Sequence, residues 1–267
     1  MRALIVFVLW MPAFMVQADL YWQPVPGRGG AHGGAAKMFK LAEQIPDAKR
    51  TVALLHSDLQ RNPLEVDKGL YRVKGSGKNN YHALVAREEG SDYRHLAVRY
   101  LYFNGKPVDS SPSDLLAESL GELEIVPDPL PREHWRYTSD KPYRFRVQFN
   151  GKPLPEQPVL VMTETGSTEI LHSDSDGVLK LVIPDDFATV VPGARKNPPG
   201  ELRIFSEVDR EGINYQSSLS MSYYVNPSHW KSASLGAMAA LGGLLFGLWL
   251  NRRLPAHSRR KKRCVQI

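Results

Sequence analysis

Cysteine is almost absent from this 267-residue chain: Cys264 is the only one. Everything before it must therefore fold without a disulfide, and stability has to come from core burial. No N-x-Ser/Thr acceptor is usable, because Asn226-Pro-Ser228 has proline in the middle. No G-x-S-x-G elbow occurs, which removes the commonest signature of a serine hydrolase. No two histidines lie at i, i+2 or i, i+4, so no local pair can seed a transition-metal site. The Lys74-Gly-Ser-Gly-Lys-Asn79 stretch lacks the spacing of a phosphate loop. Arg72 stands where the first glycine is needed, and Asn79 replaces the hydroxyl residue that would meet magnesium. These absences leave little room for an enzyme.

Charge of one sign is also scarce once the ends are set aside. The formal charge is +6, but nine of the 34 basic residues are Arg2, Lys231 and seven that follow Leu250. That leaves 25 against 28 acidic residues between Asp19 and Trp230, a net of −3. The middle of the chain is no nucleic-acid surface, and no nucleic-acid partner is expected.

What is present begins with an address. Arg2, the apolar run Ala3–Val16 and the small-residue site Val16-Gln17-Ala18 read as a secretory signal peptide over 1–18, or as an uncleaved anchor. Either way residues 19–230 are exported. Ser232 to Leu250 is SASLGAMAALGGLLFGLWL, nineteen residues without a charge. At a rise of ~1.5 Å per residue it reaches roughly 28 Å, so a transmembrane helix is expected over 231–250. Arg252, Arg253 and Arg259–Arg263 follow, which puts the basic tail 251–267 in the cytoplasm. A single-pass protein of a bacterial inner membrane, N-terminal region periplasmic, is the simplest context. The ending Cys264-Val-Gln-Ile also has the form of a prenylation box, which a spanning helix would make superfluous.

The exported part reads as β structure. From Lys141 to Pro184, Tyr143, Phe145, Val147 and Phe149 alternate with Arg144, Arg146 and Gln148, giving one apolar and one wet face. Asn150-Gly151 offers a tight turn, and Val159, Val161 and Thr163 resume the period of two. Asp174-Ser-Asp-Gly177 then turns into a strand where Leu179, Leu181 and Ile183 share a face. Earlier strand-like runs lie at Thr51–His56, Leu70–Val73, Tyr81–Arg87, His95–Phe103 and Glu122–Val126. Gly27–Gly34 is a glycine-rich loop, Ala35–Ile45 is expected as a short amphipathic helix and Asp114–Ser119 as a helical turn. Pro127, Pro129 and Pro131 make a stiff connector, which divides an N-terminal β-rich region (19–135) from an Ig-like domain (136–230). Past it, Asp185–Gly200 is a long loop, and Leu202–Glu207 and Ile213–Val225 are closing strands. Phe103-Asn-Gly-Lys-Pro107 recurs as Phe149-Asn-Gly-Lys-Pro153, from two related β modules or from one good turn used twice. The fold class is thus all-β: an exported Ig-like or prealbumin-like sandwich of one or two modules, plus one C-terminal transmembrane helix.

The run of strand, N-G-K-P-L turn, P-V-L-V strand and S-D-S-D-G-V-L-K-L between Tyr143 and Ile183 resembles the Ig-like or prealbumin-like modules of carboxypeptidase regulatory domains and B-type surface repeats. With the leader, the Tyr-rich late strand and the C-terminal span, it looks like the nickel-uptake-associated (NikM-like) periplasmic family. That resemblance covers about Pro142 to the C-terminus. It implies an Ig-like fold outside the inner membrane and an accessory role in transition-metal uptake, with nickel or cobalt as ligand. Two features depart from it. The mature start Asp19-Leu-Tyr lacks an early histidine, and one span forms no translocation pathway.

Candidate ligands are His172, Asp174 and Asp176, whose carboxylates could meet a cation from one loop. The plainer reading is an Asp-Gly turn whose carboxylates accept local backbone N–H bonds. The pairs His134-Trp135 and His229-Trp230 flank the domain edges. Ala239, Gly243 and Gly247 form a small-residue stripe that fits a second helix, so a protein partner is expected there besides the membrane. Three readings stand: a non-enzymatic binding or accessory component, a structural or envelope-interaction module without a small ligand, and an enzyme with a scattered site.

Overall fold

The computed structural model describes residues 20–26, 36–78, 80–131, 136–193, 196–231 and 233–253. The leader, the Gly27–Gly34 stretch, His134-Trp135 and the basic tail with Cys264 lie outside the described residues. The first strands are β1 (Tyr21–Val25), β2 (Lys37–Ala42), β3 (Lys49–Leu55), β4 (Arg61–Pro63), β5 (Val66–Asp67), β6 (Leu70–Val73), β7 (Asn80–Glu89) and β8 (Tyr93–Phe103). A short helix, α1 (Pro112–Ala117), precedes β9 (Leu123–Pro127), β10 (Tyr137–Thr138), β11 (Pro142–Phe149), β12 (Lys152–Pro153), β13 (Pro158–Thr163), β14 (Thr168–His172) and β15 (Val178–Val182). Two long strands, β16 (Gly200–Arg210) and β17 (Ile213–Tyr224), lead through a 3-10 turn at Pro227–His229 into helix α2 (Ala233–Arg253).

The strands form a mostly β, sandwich-like body in three layers. The middle sheet runs β14-β13-β16-β17-β8-β7-β3-β4, with β10 also on β17. A small sheet, β1-β2-β6-β5, covers one face. Between them Trp22, Phe39, Leu41, Tyr71 and Val73 pack on Leu54, Leu84, Ala97 and Leu101. On the other face β9, β11, β12 and β15 form the third sheet. There Phe145, Val147, Leu179 and Leu181 meet Val85, Val98, Leu202, Ile204, Leu219 and Tyr223. A strand covered on both faces has no wet side, so β7 and β17 are buried at nearly every interior position instead of alternating. That second cluster holds residues from both sides of the Pro127–Pro131 connector, and the middle sheet runs across it without a break.

The join is the parallel pairing of β17 with β8, Asn214 opposite Tyr93 through Leu219 opposite Val98. Antiparallel β16 flanks the other side of β17 over its whole length. A side-chain staple spans all three strands. Arg99 on β8 reaches Glu201 on β16 in two hydrogen bonds of 2.5 and 3.1 Å, and both bond Ser222 on β17, at 2.7 and 2.6 Å. The pair is buried, with Arg99 6% and Glu201 13% exposed. Lys37 stands beside it. Burial, then the Arg99 charge, lowers its amine to about 8.

Several expectations change. Ala35–Ile45 is not a helix: it contains β2, in which Phe39 and Leu41 face the core two residues apart. The two N-G-K-P copies differ. Asn150 and Gly151 have φ of 50° and 73° and make the two-residue hairpin loop between β11 and β12. The first copy has no positive φ, and its Gly105 is pressed against the Gly75–Lys78 loop, where an added Cβ would fall 1.9 Å from the Gly77 carbonyl oxygen. The same five residues therefore build two different corners. The span expected over Ser232–Leu250 is also not met: among the described residues no helix is long and apolar enough to cross a membrane. The apolar part whose side chains are described, Gly236 to Leu250, reaches only about 22 Å at 1.5 Å per residue.

The staple makes a sharp stability prediction. Glu201→Ala should lower the unfolding free energy by about 3–5 kcal/mol, because a buried guanidinium loses its partner. Arg99→Met with Glu201→Met should recover most of that loss. Urea unfolding checks both, and a Glu201→Ala cost under about 1 kcal/mol would remove the staple from the account.

Candidate functional site

The segment between β17 and α2 does not leave the body freely. Asn226 caps the 3-10 turn by accepting from the Ser228 N–H at 3.1 Å. Its own N–H donates to Ser139 Oγ at 3.0 Å, and its amide donates to the Ser139 carbonyl at 3.2 Å. Ser139 and Asp140 form the corner between β10 and β11, and Asp140 holds a left-handed φ of 56°. The Asp140 N–H donates to the Ile183 carbonyl at 2.9 Å, which brings the segment after β15 to the same place. Three stretches far apart in sequence thus meet where the chain departs for α2.

Their side chains meet as well. His229 Nε2 lies 2.8 Å from Asp140 Oδ2, and Nδ1 lies 2.9 Å from Asp185 Oδ2. Asp140, Asp185 and His229 are the group of metal-ligand side chains, among the described residues, whose donor atoms all fall within 4.8 Å. They are 49%, 28% and 27% exposed. Imidazole nitrogen and carboxylate oxygen are both ligand atoms, so the three side chains together could hold a cation.

The next residue faces the other way. Asp186 accepts from Thr163 Oγ1 and Tyr223 Oη, both at 2.5 Å, and Thr165 Oγ1 lies 2.9 Å from the same Tyr223 oxygen. Burial by itself would raise the Asp186 carboxyl. The hydroxyls of Thr163, Thr165, Tyr223 and Ser167 outweigh it and hold the group down at about 2. Burial first, then Asp186, raises the Tyr223 phenol. A carboxylate this weak as a base, with no imidazole beside it, is a structural anchor. It pins the start of the loop Asp185–Gly200. Further along, Asn197 accepts from the Val191 N–H at 2.9 Å and donates to the carbonyls of Val191 and Gly193 at 2.8 and 3.1 Å. The described part of that loop is ordered around one asparagine.

The residues singled out from sequence fall elsewhere. His172 ends β14 on the exposed edge of the middle sheet. Asp174 Oδ1 accepts from the N–H groups of Val178 and Asp176 at 2.9 and 3.1 Å, and Oδ2 pairs with Lys180 at 3.2 Å. Those bonds, the Val178 one first, lower the Asp174 carboxyl. His172, Asp174 and Asp176 do not converge as a ligand group; the aspartate serves its own turn. Ala239, Gly243 and Gly247 lie along α2, exposed, and a Cβ built on either glycine would touch nothing within 4 Å. His229 had been noticed only as half of an aromatic pair. Its partners Asp140 and Asp185 carry no local signal, apart from Asp185-Asp186 standing together in a loop.

Buried His82 is occupied in packing. His82 sits with its ring centre 5.1 Å from His56 and 5.3 Å from Phe103. Burial, then His56, lowers it to about 4.

The Asp186 anchor sets a pH window. In the unfolded chain the carboxyl titrates near ~4 and in the folded chain near 2. Its contribution is therefore complete above about pH 4 and is lost as pH falls through 2. Tyr223→Phe should cost about 1–3 kcal/mol at neutral pH and flatten stability between pH 4 and 2. Urea titrations across that range check this, and an unchanged profile would contradict the anchor.

Neither a protein-family model nor a curated protein matches the chain. The kinship with a nickel-uptake-associated family expected from sequence thus finds no support. Solved structures do align. One is from a 1.5-MDa bacterial ice-binding adhesin, at 12% identity and a TM-score of 0.28, covering 78% of this chain and 64% of that one. Another is the two-domain fibronectin type-III segment of chicken tenascin, at 13% and 0.22, covering 77% and 97%. A third is a Ca2+-stabilised, ice-binding adhesin of an Antarctic bacterium, at 11% and 0.25, covering 73% and 44%. The alignment therefore spans less than two thirds of either adhesin chain. At such scores the likeness carries no argument, and the β architecture stands on the sheets described above.

Proposed function

We propose that this chain is a membrane-tethered, non-enzymatic binding module, in which the three-layered β body is displayed close to a lipid surface. One observation carries the reading. On α2 the side chains of Met238, Leu241, Leu244, Leu245, Phe246, Leu248 and Trp249 are all half exposed or more. A helix apolar on every side has no stable place in water; lipid or another helix must cover it. Its ends suit a bilayer. Lys231 lies over Trp230 at 5.3 Å, and Arg253 lies over Trp249 at 5.1 Å, the aromatic and cationic pairing that favours headgroups. The basic run Arg259–Arg263 then adds attraction to anionic lipid. The tether in this reading is α2 anchored in lipid, since its described apolar part is too short to cross a bilayer, and the leader supports an exported body.

This reading assigns the body no catalytic site. Its most strongly held carboxylate, Asp186, is committed to hydroxyls of its own fold. The alternative is an envelope-interaction module without a small ligand. The exposed stripe of Ala239, Gly243 and Gly247 favours that version to the extent that it offers a close-packing face to a second helix. A part in metal uptake came from the family resemblance alone and is not carried further.

Flotation tests the tether. The full chain should rise with phosphatidylcholine–phosphatidylglycerol vesicles and resist carbonate extraction. Leu244→Lys with Leu245→Lys should release it, since each charge at mid-bilayer costs about 2.5–3.5 kcal/mol. A wild-type chain that stays in the aqueous fraction would refute the reading.

A further inference from the structure

We infer that Asp140, Asp185 and His229 form a binding site for a divalent first-row transition cation, and that the cation clamps the connector to α2 onto the β body. The site stands apart from the tether proposed above, since it needs no lipid. Its donors come from three segments that the fold holds in place by backbone bonds: the β10–β11 corner, the stretch after β15 and the 3-10 turn. One imidazole and two carboxylates suit zinc, cobalt or nickel, whereas calcium would need six to eight oxygens.

The two sides of the imidazole differ. Asp140 is the more open carboxylate, 49% exposed against 28% for Asp185. All three residues are exposed, and Asp140 leaves the most room for waters to complete a coordination shell, so the cation is placed at His229 Nε2 and Asp140 Oδ2. Asp185 Oδ2, 2.9 Å from Nδ1, stands where an outer carboxylate supports a metal-bound histidine. Two or three protein donors leave the remaining positions to water, an open site rather than a closed structural zinc centre.

On binding, the Nε2 lone pair goes to the cation. Because His229 is two residues before Lys231, occupancy also holds the connector against the body.

Co2+ added to the metal-free full chain in detergent micelles is the direct test. Expected are one equivalent of Co2+ per chain and slower trypsin cleavage after Lys231. His229→Gln should abolish uptake, and Asp185→Asn should weaken it about 10–100-fold. Asp140→Asn should weaken it at least as much. His172→Gln with Asp174→Asn should leave it unchanged. His229 lies outside the apolar core, so circular dichroism should report an intact β body in the variants. No stoichiometric uptake by the wild type, or uptake that survives His229→Gln, would overturn the site.

Discussion

The parallel pairing of β17 with β8 is the constraint on which the rest of the molecule depends. It places the last strand in the middle of the sheet, between β16 and a strand that ends at Phe103. Neither half of the chain can complete the middle layer alone. Both faces of β17 are then covered, which explains why a strand so rich in serine is buried: Ser217, Ser218 and Ser220 are small enough to let two cores close on it. Ser218 reaches the Leu20 carbonyl, and Trp22 donates to the Ala97 carbonyl at 3.1 Å, so the small sheet is hydrogen-bonded to this same seam. Arg99, Glu201 and Ser222 tie the three strands together where desolvation would otherwise penalise the charges.

That topology also fixes where the chain leaves. β17 ends at Tyr224, and only the short stretch Val225–Ser232 precedes α2. The connector is held at Ser139 by Asn226 and at Asp140 and Asp185 by His229. The connector is therefore tied to the β body through Asn226 and His229. Asp185 and Asp186 divide the labour. One faces the connector, and the other turns inward to the hydroxyls that anchor the loop.

Much of the β architecture was legible in the sequence, because half-buried strands keep a period of two. Tyr143, Phe145 and Val147 against Arg144 and Arg146 located β11, and Leu179 with Leu181 located β15. β2 was misread because Ala35, Met38, Leu41 and Ala42 mimic a helical stripe, while the deciding pair Phe39 and Leu41 only counts once a covering sheet exists. β1 left no pattern, since its burial depends on strands far along the chain. The joining of the two halves through β17 and β8 could not be read locally; parallel partners share no turn. The same holds for Asp140, Asp185 and His229, which converge only by folding. The Asp174–Gly177 turn, in contrast, was the densest group in the sequence and proved to serve its own backbone. The exposed apolar helix was plain from composition, although its described part falls short of a span.

The central claim is that one continuous body, closed by β17, carries the connector and its histidine. Native-state hydrogen exchange tests it most directly. Amides of β7 and β8 should open with the same free energy as those of β11 and β15, in a single cooperative unit. Separate opening of the two halves, with β8 exchanging while β16 and β17 stay protected, would contradict it.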